Sequence, residues 1–510
     1  MKFTKILILS AFTCFSMASC GDGFFDVENS DVVTKEQIDE IGNSSPDALI
    51  DVVEPLMLGL NNYTFQYNTQ NSASTVHEDF GLMGVYHLGD VMNDDLAFYS
   101  RGSGWFTYDY ELDYWQEQYK RPYFVWNFFY SVIAKANDII AMISPEVTDA
   151  KLKAYRGAAL AYRGLAHGYL AQWFQQTYIG NEDAPGVPIV LTPDEAENAF
   201  AGRAPLRQVY TQVEKDFKDA MTLLEGWERP NKSMIDYQVA AGLYSRICLV
   251  TNNWDDAITY ARKAREGYSI YTPTELLANN AFNNINAKEW IWGMDITAET
   301  TSMFASFFSF ICSYDAGYGG DVGQYRMIDA RLFSQMNDTD VRKKLFKHSG
   351  NGVTYTSQEA GFPDYTNIKF KKVANWEADY VYMRASEMVL TEAEALAHKG
   401  DLAGAANVLK ELMSQRDPSW NYSQVTADDV YQQRRLELWG EGFSLFDHLR
   451  LKKGVERNYE GTNHLASALY TIAADSWYLH HQIPLRELDN SDALNAEDQN
   501  PAPTESKFKN

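Results

Sequence analysis

Arg434–Arg450 reads RRLELWGEGFSLFDHLR, and Arg384–Ala395 reads RASEMVLTEAEA. Both stretches have helical spacing. In Arg384–Ala395, Leu390 and Ala393 fall three apart on a packing stripe. Arg384 and Glu387 are one turn apart, close enough to pair. In Arg434–Arg450, Glu437 and Glu441 stand at i and i+4, which puts two like charges on one face. That is unfavourable unless a cation or backbone N–H groups answer them. Arg434, Arg435 or Arg450 is expected to do so. These residues read as structural rather than as an acid–base pair.

Working outward, helical periodicity covers most of the chain. Arg121–Ile143 predicts one helix, ended by Ser144-Pro145. Asp149–Gln175 predicts another, with Leu152, Tyr155, Ala159, Tyr162, Ala166, Tyr169 and Trp173 at three- and four-residue steps. The Gly- and Pro-punctuated stretch Tyr178–Pro193 reads as a loop. Residues 206–227, 236–251 and Trp254–Gly267 predict three further helices. The last two resemble a tetratricopeptide unit, with Ala257 and Ala264 seven apart where small residues allow close packing. A similar unit is expected at Asp379–Lys399 and Leu402–Arg416, joined by Gly400-Asp401. Asp428–Lys453 predicts a last long helix. Residues 271–375 differ: they are rich in Asn, Gly, Ser, Tyr and Phe and carry little helical period. Long irregular segments on a compact scaffold are often functional.

The N-terminus reads MKFTKILILSAFTCFSMASC. Lys2 and Lys5 precede an apolar stretch, Ile6–Phe15, too short to span a bilayer but suited to a secretory signal. Small residues then lead to Cys20, a pattern that resembles a bacterial lipobox. Such a cysteine is acylated after cleavage, and several acyl chains anchor a protein without a transmembrane helix. The acidic, polar stretch behind it reads as a tether.

The chain has 510 residues and a formal net charge of −25. Loss of a signal over residues 1–19 would remove Lys2 and Lys5 and no acid. That balance argues against nucleic acid, which needs clustered cations, and against binding anionic lipid through a basic surface. Besides Cys14 and Cys20 there are only Cys248 and Cys312. No CxxC pair occurs, and spacing does not decide whether those two bond. No HExxH, GxSxG or P-loop sequence occurs. The glycines at 317, 319, 320 and 323 lack GxGxxG spacing and read as a flexible loop. Asp338-Thr339-Asp340-Val341-Arg342 reads as a turn or helix cap rather than a calcium loop. No metal or cofactor is expected.

Taken in order, the motifs resemble the SusD/RagB family of outer-membrane nutrient-binding lipoproteins. Arg384, Glu387, Leu390, Ala393, Glu394 and Ala395 match one family helix. Glu437, Leu438, Glu441, Gly442, Phe446, Asp447 and Arg450 match a second, with Gln433 and Ser444-Leu445 as departures. Gln482-Ile483-Pro484, Glu487 and Gln499-Asn500-Pro501 resemble the family's ending, and Gly186-Val187-Pro188 also fits. The resemblance implies a mostly α protein with a tetratricopeptide-like helical repeat scaffold and irregular aromatic-rich ligand-binding segments. It implies a lipoprotein on the outer face of the outer membrane. It further implies capture of oligosaccharide as a lid over a SusC-like TonB-dependent β-barrel, without catalysis. The expected division is a signal at 1–19, a lipidated tether at 20–45, and a helical region at 46–270. An irregular ligand-binding insertion at 271–375 and a C-terminal helical region at 376–510 follow. Two alternatives stay open: a RagB-like peptide binder and a lipid-anchored glycoside hydrolase.

The unusual number is 14% aromatic residues. Tyr and Trp offer flat amphipathic faces on which sugar C–H groups stack. Two clusters stand out. One is Tyr99–Trp115, with Trp105, Phe106, Tyr108 and Tyr110 as candidate platforms. The other holds Tyr314, Tyr318 and Tyr325. Asn93, Asp94, Arg101, Asp315 and Asp321 are available to bond hydroxyls. The competing reading for every ring is packing, and Tyr114 and Trp115, which lead into a helix, are expected in the core.

Overall fold

The computed structural model describes residues 45–70, 76–197, 202–314 and 317–508. Cys20, the segments on either side of it and Asp315 lie outside them. Contacts divide the chain into Met1–Val52 and Val53–Asn510. Of the first unit, the description covers only the start of helix α1 (Pro46–Tyr63).

Helix α2 is Leu82–Val91, and the long helices α3 and α4 are Lys120–Met142 and Ala150–Phe174. They are followed by α5 (Leu206–Leu224), α6 (Tyr237–Val250) and α7 (Trp254–Ala264). The C-terminal part adds α8 (Ala385–His398), α9 (Leu402–Met413), α10 (Ala427–Glu437) and α11 (Ser444–Arg450). From α3 to α9 each helix packs on the next in chain order, the layering of a tetratricopeptide-like array. The protein is mostly α, as expected.

The sequence explains this layering locally. Asp149 caps α4 by accepting from the Lys151 and Leu152 N–H groups, and Asp236, Asn253 and Asp401 cap α6, α7 and α9. Gly157, Gly164 and Gly168 let the neighbours of α4 approach. A Cβ at Gly157 would stand 2.9 Å from Leu224, and one at Gly168 2.8 Å from Ile247. Buried ion pairs cross-link the layers. Arg163 grips Asp216 bidentately at 2.7 and 2.9 Å. Arg246 does the same to Glu387 at 2.7 and 2.8 Å.

Two predicted helices are corrected. Asp379–Lys399 is not one helix, because Tyr380–Arg384 is a strand. It pairs antiparallel with Trp290–Met294 before α8 begins. Arg384 therefore leaves the helix and does not meet Glu387. It inserts instead between Glu289 (2.6 Å), Glu441 (2.7 and 2.8 Å) and Glu437 (3.2 Å). Asp428–Lys453 is likewise broken, at Leu438–Phe443. Gly440 and Gly442 there have φ of +76° and +89°, and a Cβ on Gly442 would lie 2.3 Å from the Tyr86 side chain.

The break lets Glu437 and Glu441 face one basic cluster. Arg416 answers Glu437 at 2.9 and 3.0 Å, and Lys369 answers Glu441 at 2.5 Å. Burial alone would raise the Glu437 carboxyl, but the Arg416 and Arg384 guanidiniums hold it well below the usual range. The three arginines expected to do this work elsewhere. Arg434 bonds Asp447 at 3.0 Å, Arg435 bonds Asp95 at 2.7 Å and Arg450 bonds Glu394 at 2.8 Å.

Strand β1 (Leu96–Phe98) pairs with β3 (Arg326–Ile328), β2 (Trp290–Met294) with β4 (Tyr380–Arg384), and β5 (Val455–Glu456) with β6 (Thr471–Ile472). Residues 271–375 are thus laced to the segments on both sides. Asp340 accepts from the Arg342 N–H and starts a 3₁₀ turn, as read from the sequence. Gly317–Gly320 forms a short helix with Gly317 and Gly319 buried, so the expected flexible loop is ordered packing. Cys248 and Cys312 are buried free thiols. Among the described residues no helix is long and apolar enough to cross a membrane.

Candidate ligand-binding site

The β1–β3 ladder brings the two aromatic segments together. It pairs Leu96 with Ile328 and Phe98 with Arg326, and the Tyr99 N–H donates to the Tyr325 carbonyl at 3.1 Å. Both segments therefore leave the ladder side by side. Gln324 stitches them, donating from Nε2 to the Arg101 carbonyl at 2.8 Å and to Thr107 Oγ1 at 3.2 Å. Ser103 donates back to Gln324 Oε1 at 3.3 Å. The chain approaches so closely at Gly102, φ +50°, that a Cβ would lie 2.8 Å from the Gln324 side chain.

A wall of partly exposed rings results. His77 stacks on Trp105 with centroids 5.2 Å apart and on Phe304 at 6.0 Å. Tyr318 meets Trp105 edge-on at 6.4 Å and Phe304 at 5.7 Å. His77 Nδ1 and the Tyr318 hydroxyl share a 2.5 Å hydrogen bond. Phe304 and its neighbour Met303 are 39% and 48% exposed, high for such large apolar side chains. Beneath lies a buried floor of Phe80, Phe106, His87 and Phe310, with Phe310 stacked on Tyr318 at 5.0 Å.

Backbone constraints set the wall. The Tyr318 N–H donates to Ser309 Oγ at 3.3 Å, and Gly317 has φ +50°. Glu78 and Asp79 hold the far side. Glu78 pairs with Arg121 at 2.9 Å, and Asp79 accepts from Thr69 Oγ1 at 2.8 Å and the Gln70 N–H at 3.0 Å. Burial lowers the His77 pKa, so its ring is neutral at pH 7, and burial raises the Tyr318 hydroxyl. An apolar, uncharged ring face with one hydrogen-bonded polar edge suits a flat amphipathic ligand.

Residues 60–249 match a family described as "Starch-binding associating with outer membrane", and residues 288–502 match the SusD family. The chain belongs to the SusD/RagB family. Similar solved structures agree on this SusD-type fold. A SusD-like carbohydrate binding protein from Bacteroides vulgatus is 25% identical, with a TM-score of 0.73. The match covers 90% of this chain and 99% of that one. A further SusD superfamily protein from the same organism is 21% identical with a TM-score of 0.74, covering 89% and 99%. Surface glycan-binding protein A from Bacteroides thetaiotaomicron, solved with laminarihexaose, is 16% identical with a TM-score of 0.63, covering 87% and 98%. No curated protein matches.

In this SusD-family chain the residues named from sequence separate into four groups. Trp105 and Tyr318 meet in the ring wall. Tyr108 is 40% exposed and begins a second row, stacked on Tyr114 and through it on Tyr119, each at 4.6 Å. Arg101 lies 6.0 Å over Tyr108 and pairs with Glu111 at 2.8 Å. Tyr314 and Tyr325 both pack on Phe362, at 5.6 and 5.3 Å, and the Tyr314 hydroxyl donates to Glu359 at 2.6 Å. The expected core rings Tyr114 and Trp115 are only half-buried.

Four candidates are corrected, because they are buried in the body of the protein. Phe106 lies in the floor, with Arg121 at 5.1 Å. Tyr110 stacks on Phe98 at 4.2 Å and bonds His464 at 2.7 Å. Asn93 Oδ1 accepts from the Asp95 N–H at 2.8 Å. Asp94 is enclosed by His448 (3.1 Å), Arg331 and Arg435 (3.3 Å each). Burial would raise its pKa, but the His448 bond and these charges hold it low. The short helix Thr107–Tyr110 explains the split: it turns Tyr108 outward and Tyr110 inward. His77 and Phe304 escaped the sequence reading. Phe304 sat unremarked in an irregular aromatic stretch, and a lone histidine carried no signal.

Proposed function

We propose that this protein is a glycan-binding lipoprotein, anchored through Cys20 on the outer face of the outer membrane. It presents oligosaccharide to a SusC-like TonB-dependent β-barrel. The observation that carries this reading is the wall of Trp105, His77, Phe304 and Tyr318, built from three separate segments at the surface. Part-exposed neutral rings offer apolar surface to the C–H groups of a sugar. Relatives whose names record laminarin and laminarihexaose binding support a saccharide ligand. The reading is capture without turnover: of the carboxylates adjoining His77 in the chain, Asp79 is buried with both oxygens bonded and Glu78 is buried with Oε1 paired to Arg121.

The test is calorimetry of residues 21–510 against plant, host and microbial glycans, with a peptide mixture alongside. A glycan should bind, and Trp105→Ala should weaken it about tenfold without unfolding the protein. A response to peptides alone would replace this reading with a peptide importer. In cells, Cys20→Ala should move the protein out of the membrane fraction, and detergent-dependent retention would remove the lipid anchor.

A further inference from the structure

Of the four rings in the wall, only His77 has a polar atom left over. Phe304 has none. The Tyr318 hydroxyl and His77 Nδ1 share their 2.5 Å bond. The Trp105 indole, a donor only, lowers the Tyr318 pKa through a hydrogen bond to the same oxygen. His77 Nε2 has no hydrogen-bond partner among the described residues, and His77 is half-buried. Nor is that atom enclosed. The fully buried nitrogens without a partner include both of His87, in the floor below, but not His77 Nε2.

The neighbouring rings decide which part of the imidazole stays open. Trp105 stacks on it at 5.2 Å with 27° between the planes, and Phe304 at 6.0 Å with 8°. Both are face contacts, so a ligand meets the edge of the ring. Nδ1 holds one corner of that edge against Tyr318. Nε2 lies two bonds away across Cε1 and points away from the hydroxyl. A turn closed by the Asp79 N–H on the Val76 carbonyl, at 3.2 Å, carries the ring.

The bond to Tyr318 also decides which nitrogen holds the proton. A phenol is a stronger acid than a neutral imidazole N–H, and an imidazole nitrogen is a stronger base than a phenol oxygen. The hydroxyl therefore donates and Nδ1 accepts, which leaves the proton of the neutral ring on Nε2. Burial lowers the His77 pKa with no charged group contributing, so the ring holds one proton at pH 7. An N–H only donates. It pairs with an oxygen lone pair and leaves a deoxy position unanswered.

We propose that His77 reads the polar edge of the sugar: its Nε2–H donates to a neutral hydroxyl, ring or glycosidic oxygen of a glycan lying on the wall. Tyr318 is the positioning residue, fixing the ring and its tautomer through Nδ1. The inference rests on the glycan reading above, and its test separates the two. The mature protein is labelled with ¹⁵N-histidine and 5-fluorotryptophan, and the His77 and Trp105 signals are assigned with His77→Phe and Trp105→Phe. Without ligand, long-range ¹H–¹⁵N spectra should show His77 protonated at Nε2 and bare at Nδ1, and Tyr318→Phe should remove that preference. Laminarihexaose, maltohexaose, cellohexaose, xylohexaose and mannohexaose are then titrated to millimolar levels. With a probe that shifts Trp105, the His77 Nε2 signal should move while Nδ1 stays bare. His77→Phe, which keeps a stacking ring, should weaken that probe about fivefold, the loss of one hydrogen bond.

A proton on Nδ1 in the free protein would overturn the assignment. So would a probe that shifts Trp105 and leaves His77 Nε2 unmoved, or one that His77→Phe binds as tightly as wild type. The glycan reading would survive all three results. If neither signal moved with any probe, both readings would fall.

Discussion

His77 Nδ1 and the Tyr318 hydroxyl lie 2.5 Å apart, although 241 residues separate them in the chain. The bond joins two surface segments across a wall that also holds Trp105 and Phe304. His77 stacks on both of these rings. Replacing it with Ala removes a ring contact on each side and the hydroxyl's partner. His77→Ala should weaken glycan binding about tenfold by freeing the two rings it aligns, and should also lower stability by roughly 0.5–1.5 kcal/mol for each ring pair lost. Unchanged affinity by calorimetry would make His77 a bystander.

Gly317 sets the position of Tyr318. Its φ is +50°, and a Cβ there would stand 2.1 Å from Ser309 Oγ. Gly226 has φ +75° with open space around it, so it carries the same backbone strain without the clash. Gly317→Ala should cost more stability than Gly226→Ala, by about 1–3 kcal/mol, and it alone should weaken binding. Equal effects in urea unfolding would show that the clash is relieved freely.

Arg384 sits among Glu289, Glu437 and Glu441 with essentially no exposure. Removing it strands buried carboxylates. Arg384→Ala should destabilise by about 3–5 kcal/mol. The exposed pair Lys215–Asp219 offers a contrast: Lys215→Ala should cost under about 0.5 kcal/mol. Denaturant midpoints distinguish these outcomes directly.

Asp79 supplies a pH signature. Burial raises its folded pKa from 3.8 to about 6, despite the bonds from Gln70 and Thr69. The folded state therefore holds its proton more tightly than the unfolded state. Its contribution to stability is full below pH 3.8 and is lost as pH rises through about 6. Wild type should lose stability relative to Asp79→Asn between pH 4.5 and 7, and the difference should be flat above that. The pH dependence of the difference is the readout, because the asparagine oxygen can still accept from the Gln70 N–H while its NH₂ donates to Thr69 Oγ1, so any remaining offset is the same at every pH. A difference that does not change with pH would place the Asp79 carboxyl at its ordinary value.

Much of the scaffold was legible because helices advertise themselves locally. The seven-residue Ala257–Ala264 spacing and the stripe from Leu152 to Trp173 depend on neighbours a few residues away. Tyr380–Arg384 was misread because a short buried strand is defined by its partner, Trp290–Met294, almost a hundred residues earlier. The break at Gly440 and Gly442 was missed because helical spacing continues on either side of it. Candidate rings were found by composition, but composition has no sense of inward and outward. Phe106 and Tyr110 therefore stood beside Trp105 and Tyr108 until packing sorted them.

The sequence by itself determined the helical array, the family motifs and the abundance of rings, since each rests on local spacing or composition. The tertiary structure decided which carboxylates Arg384 would answer and which rings would reach solvent. It also decided that Trp105, His77, Phe304 and Tyr318 would meet. Those outcomes depend on strand pairing between distant segments, above all Leu96–Phe98 with Arg326–Ile328, whose register no local pattern specifies.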